Sequence, residues 1–238
     1  MRGYKTDINS RLLFSKDMKI IELIDADYDL LSILLRLDVQ LPFGDISIEQ
    51  MCRRYDMSAD LFLMICQIYA VADFEPQVDQ LTGEDLHCII RYLRASHRYY
   101  LDTVLPAIGS GVERVLEDCD HKQGAIVRKF YDDYADEVRA HLNYEETQIF
   151  PYVESLIGGR VSKVQMAENM ANHTDICDKV DDVKSIIIKY LPESCPTWKR
   201  CDLLFDLYRM RDDLAKHTLI ETKILAPLVY AEERKLAL

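Results

Sequence analysis

This 238-residue chain is short of residues that interrupt helices: it has eight glycines and seven prolines. That scarcity leaves long unbroken stretches and argues for an all-α protein over a fold of many short strands and turns. No apolar run approaches the ~20 residues that cross a bilayer, and the opening MRGYKTDINSRLLF has neither the apolar centre nor the cleavage signal of a secretory leader. Positive charge is also short, with 29 Lys plus Arg against 41 Asp plus Glu and a net charge of −12. The clustered cations that bind phosphate backbones are therefore missing, so neither nucleic acid nor membrane is an expected partner. The seven cysteines are an odd number and contain no Cys-x-x-Cys. They read as reduced thiols in a cytoplasmic protein.

What the chain does have is a pair of matching segments. His141-Leu-Asn-Tyr-Glu145 and His217-Thr-Leu-Ile-Glu221 are each followed by an apolar pair, Ile149 and Phe150 or Ile224 and Leu225, and by a proline ten residues after the histidine, Pro151 or Pro227. Residues four apart share one face of a helix, so each segment aims an imidazole and a carboxylate at one point. Two further histidines extend the match. The 44 residues from His97 to His141 equal those from His173 to His217, and a shift of 76 carries the first set onto the second without slippage. One His-x-x-x-Glu is ordinarily a surface ion pair worth ~0.3–0.5 kcal/mol. Two in register, with two more histidines in register, read as metal ligands.

The spacing also satisfies a geometric requirement. Turns near 118–121, at Gly158-Gly159 and around 192–196 fall close to midway between successive members of the set. At a rise of ~1.5 Å per residue, antiparallel hairpins bring all six side chains into one layer. Periodicity predicts four long helices over 84–118, 122–157, 161–190 and 197–235, in up-down-up-down order. The interior prolines Pro106, Pro151 and Pro227 are expected to kink or end their helices. In front lies a small helical module over 1–76, with helices at 17–36, 47–55 and 59–71, Ser47 and Ser58 as N-caps, and a linker over 73–83. The bundle is expected to occupy 84–238. The module's last two helices resemble a helix-turn-helix, yet residues 1–80 hold 8 Lys plus Arg against 14 Asp plus Glu, and 59–71 holds no basic residue. A docking surface, or a homodimer formed through this module, is the expectation.

Four imidazoles and two carboxylates buried in one layer need compensation, which metal coordination provides. Two metal ions, two histidines on each and both glutamates bridging is the arrangement they suggest, and mixed nitrogen and oxygen donors suit iron ahead of manganese or zinc.

The set His97, His141, Glu145, His173, His217 and Glu221, with prolines following both His-x-x-x-Glu segments, resembles the hemerythrin-like bundle of the bacterial repair-of-iron-centres proteins over about 84–235. The resemblance extends to a helical N-terminal domain of matching size. It implies a non-haem, oxo-bridged di-iron protein that protects or repairs iron–sulfur clusters damaged by nitric oxide or oxidative stress. Iron donation and reaction with nitric oxide are the two implied routes. Its implied partners are damaged iron–sulfur proteins and small ligands such as nitric oxide, oxygen or peroxide. An oxygen or nitric oxide sensor built on the same site is the alternative reading, with oxygen storage a third. Glu137 and Asp175 match acidic positions of that family. Asn172 stands where it tends to have glutamate, and 37–44 lacks its adjacent cysteine pair.

Overall fold

The structure, a computed structural model, describes residues 14–159 and 175–236, which form helices and no sheet. The expected start of the third long helix at 161, together with Asn172 and His173, lies outside the described residues, as does the side chain of Asp175. No helix among the described residues is long and apolar enough to cross a membrane.

The N-terminal region folds as α1 (Ile20–Ala26), a 3₁₀ turn (Tyr28–Leu30), α2 (Leu31–Arg36), α3 (Ile48–Arg54) and α4 (Ala59–Ala70). The single helix expected over 17–36 is broken. Asp27 takes an extended backbone (φ −154°) and its carboxylate accepts from the Asp29 amide at 3.0 Å. A local side-chain turn has won over helical periodicity there. The serine caps are in place: Ser47 and Gln50 exchange hydrogen bonds at 3.0 and 3.2 Å, and Ser58 accepts from the Leu61 amide at 3.4 Å. Satisfying otherwise orphaned amides in this way fixes where α3 and α4 begin.

The long helices follow as α5 (Asp85–Tyr99), α6 (Leu105–Leu116), α7 (His121–Tyr144), α8 (Phe150–Ile157), α9 (Asp175–Tyr190), α10 (Thr197–Ile220) and α11 (Ala226–Leu236). Wide π-helical turns at Tyr100–Val104, Glu145–Ile149 and Glu221–Leu225 join α5 to α6, α7 to α8 and α10 to α11 without a break. The prolines therefore neither end their helices nor leave them regular. Pro106, Pro151 and Pro227 each stand six residues after the first residue of a wide turn. A helical proline lacks the amide hydrogen and presses on the carbonyl four residues back. Those carbonyls belong to Asp102, Thr147 and Lys223, the middle residue of each wide turn. The amide just before each proline bonds five residues back instead, Leu105 to Tyr100, Phe150 to Glu145 and Ala226 to Glu221. Helix α9 contains no proline and is α-helical throughout.

The chain divides into two compact units, one drawn from Met1–Ala95, Val153–Lys163 and Leu219–Leu238, the other from Ser96–Tyr152 and Val164–Thr218. In the first, buried Arg36 donates to the Tyr69 and Tyr92 hydroxyls at 2.6 and 3.2 Å, and Tyr92 donates to Tyr69 at 3.1 Å. Hydrogen-bonded phenols around the guanidinium let a charged group stay buried. Cys52 and Cys66 are buried in the same unit, and burial pushes the Cys52 thiol up to about 12, so it stays protonated. The core of the second unit is a continuous cluster that includes Ile108, Val112, Val138, Val183, Leu203 and Leu207. Its polar ends are tied down: Tyr131 donates to the Leu105 carbonyl at 2.6 Å, and Asp120 caps α7 by accepting from the Gln123 amide at 2.8 Å.

Candidate metal centre

Each of the two wide turns that follow a His-x-x-x-Glu segment begins on the glutamate itself. His141 and His217 sit in the last turn of α7 and α10, and Glu145 and Glu221 open the wide turns after them. The extra residue of a π turn rotates whatever follows by roughly 100° relative to a regular helix. The helix can thus offer a histidine and a glutamate inward while the residues beyond take a new register. In the first wide turn the Thr147 hydroxyl donates to the Asn143 carbonyl at 2.8 Å, tying its side chain back to the preceding helical turn.

The structure brings most of the sequence-predicted set together. One ligand atom from each of His97, Glu145, His217 and Glu221 lies within 4.8 Å of all the others, and all four residues are buried. The two imidazole nitrogens His97 Nε2 and His217 Nε2 face each other at 3.3 Å. Glu145 lies among the rings, its carboxylate 3.0 Å from His97 Nε2, 2.9 Å from His141 Nε2 and 3.9 Å from His217 Nε2. His141 thus joins the group through Glu145, and its side chain is 16% exposed where those of His97 and His217 are 2% and 3%. His173 is outside the described residues.

Burial alone would push the pKa of the Glu145 carboxyl up, favouring its neutral form. The rings of His141, His217 and His97 more than offset it and hold the group well below the usual carboxylate range, so it is ionised. An ionised carboxylate facing imidazole nitrogens at hydrogen-bond distance, with little water access, is what a cation of intermediate hardness requires. The donor set fits a metal.

Three neighbours that sequence reasoning did not assign to the site hold the ligands. Glu146 lies 2.9 Å from His97 Nδ1 and leaves Nε2 directed at Glu145. Phe150 stacks on the His97 ring at 5.2 Å and 20°, and Tyr100 meets the His217 ring edge-on at 5.7 Å. Glu146 directly follows Glu145 in the chain, and only the fold shows which imidazole it reaches. Tyr131 and Tyr134 are buried in the core of their unit, whereas Tyr144 is exposed. Glu137 forms an ion pair with Lys179, both side chains being partly exposed.

A helical protein whose buried face gathers imidazoles and carboxylates around one point is, by its donor chemistry, a metal-binding protein. The family model of the hemerythrin HHE cation-binding domain matches residues 88–229, more than half of the chain, and the chain belongs to that family. No curated protein and no solved structure gives a match.

Proposed function

We propose that this protein holds a non-haem di-iron centre and uses it to protect or repair iron–sulfur clusters damaged by nitric oxide or oxidative stress. The observation that carries the reading is the buried cluster of His97, Glu145, His217 and Glu221, with mixed nitrogen and oxygen donors and His141 adjoining it through Glu145. These five residues would hold the metal, with His173 as the sixth donor. When bound, iron so ligated supplies a redox-active Lewis acid with room for a small diatomic or peroxide ligand. The protein's own contribution is to bind and orient. Glu146 and Phe150 fix the plane and tautomer of His97, Tyr100 abuts His217, and burial keeps bulk water from the carboxylates. His141, the most exposed of the described donors, marks the side from which iron or small ligands would exchange. The reading places the protein in the cytoplasm, where damaged cluster proteins would be its partners.

Sensing by the same site is the second reading, favoured by one contact. Lys223, two residues beyond Glu221, pairs with Glu75 at 3.1 Å, so a shift of that wide turn would reach the 73–83 stretch next to the N-terminal helices. The discriminating experiment adds anaerobically purified, iron-loaded protein to a cluster enzyme inactivated by nitric oxide. Recovery of activity that His217→Ala abolishes supports repair. No recovery, with a nitric oxide-dependent change in partner affinity instead, would replace repair by sensing.

A further inference from the structure

Helix α10 carries two seams. On one side Leu203, Leu207, Met210 and Leu214 are buried and belong to the core of their unit. On the opposite side Trp198, Asp202, Phe205, Arg209 and Asp212 are all exposed, and they are spaced four, three, four and three residues apart along an unbroken helix. Trp198, in the first turn, is 58% exposed, and Phe205, well inside the helix, is 60% exposed, values unusual for large aromatics on a long packed helix. A 4-3-4-3 spacing is the seam by which one helix packs against another. Bundle membership already accounts for the first seam and leaves the second without an assigned role.

The charges on the second seam specify what fits it. Phe205 is at its centre, Asp202 lies three residues before and Arg209 four after, and Trp198 and Asp212 are at the ends. If the same helix from a second molecule is laid against it antiparallel, with the two-fold axis at Phe205, the layers are Trp198 with Asp212, Asp202 with Arg209, Phe205 with Phe205, and then the same pairs reversed. Both Asp202 carboxylates meet an Arg209 guanidinium, and each indole N–H faces an Asp212 carboxylate. A parallel arrangement would set Asp202 against Asp202 and Arg209 against Arg209, so the pattern selects the antiparallel, isologous pair.

We propose that this face is the contact of a two-fold symmetric homodimer, formed by antiparallel packing of α10 on α10 through Trp198, Asp202, Phe205, Arg209 and Asp212. Arg209 is available for it: its side chain is 81% exposed, and its contact with Asp206 is a loose 3.9 Å. Tyr208, 45% exposed and covered on one side by the Lys184 ammonium at 4.1 Å from its ring centre, borders the seam and widens it. A seam of this length spans roughly 21 Å, and on a helix ~10 Å across it covers on the order of 200 Å² per partner, less than the ~800 Å² of a standard stable interface. The dimer is accordingly reversible and concentration-dependent. The proposal is independent of which metal the chain binds.

Sedimentation velocity on the full chain, from about 1 to about 200 µM, tests it over the range in which a small interface assembles. The wild type is expected to pass from one chain to two across that range, and Phe205→Asp to remain a single chain throughout, with an unchanged far-ultraviolet spectrum because the side chain is at the surface. Asp202→Arg and Arg209→Asp, each placing like charges in two layers, are expected to weaken association at least tenfold. The double variant D202R/R209D restores the pairing with the signs exchanged and is expected to return to within threefold of the wild type. A wild type that stays a single chain would overturn the proposal. So would a dimer indifferent to Phe205→Asp, which would point to another face such as the N-terminal module, or a double variant no better than the single ones.

Discussion

Around Glu145 and around Glu221 the chain treats its backbone identically: a histidine four residues before, a wide turn opening on the glutamate, and a proline six residues after. The side chains beside that shared frame differ. Where the first half has Glu146 against His97, the second has Thr222, and where Phe150 stacks on the His97 ring, the second has Ala226. The two halves have kept what places the donors and diverged in what steadies them. Ligand position is thus a property of backbone and proline, and ligand orientation a property of the neighbouring side chains.

That contrast can be broken at several levels. The largest effect is expected from removing a donor. Glu145→Ala takes away the carboxylate on which three histidines converge, and metal per chain measured by plasma mass spectrometry should fall below about a tenth of the wild-type value, as for His217→Ala. Next is Phe150→Ala, which empties a fully buried site beside His97; urea titration should show a loss of about 3 kcal/mol. Pro151→Ala should separate stability from function. It permits a regular i to i−4 bond and relieves the clash at Thr147, so the metal-free protein should gain about 1 kcal/mol while metal affinity falls about tenfold through the displaced Glu145 register. The smallest pair tests the asymmetry itself. Glu146→Ala should lower metal affinity about tenfold by freeing the His97 ring, whereas Thr222→Ala at the equivalent place should change neither affinity nor stability by more than about 0.5 kcal/mol. Equal effects of the two would mean that the halves are steadied alike.

Much of this frame was legible in the sequence because it is periodic. The ends of the long helices follow from turn residues and apolar spacing, and the ligand layer follows from the repeat of 76, which placed His97, Glu145, His217 and Glu221 at one level and His141 beside them. Serine caps at Ser47 and Ser58 are local chemistry and were equally readable. The break at Asp27 was not, because an aspartate that caps its own neighbour competes with the helix by a margin that periodicity does not measure. The prolines announced irregularity without its form. A kink, a stop and a π turn all relieve the same clash, and only the backbone bonds from Leu105, Phe150 and Ala226 show that the chain takes the π turn. Glu146 was illegible for another reason: the hydrogen bond it makes spans 49 residues and exists only once α5 and the α7 to α8 helix lie side by side.

The central claim is that this buried layer is a two-iron site. Its most direct test is the metal content of protein purified without oxygen, measured together with the Glu145→Ala variant. The account predicts about two irons per chain in the wild type and almost none in the variant. One metal per chain, zinc in place of iron, or iron that persists without Glu145 would contradict it.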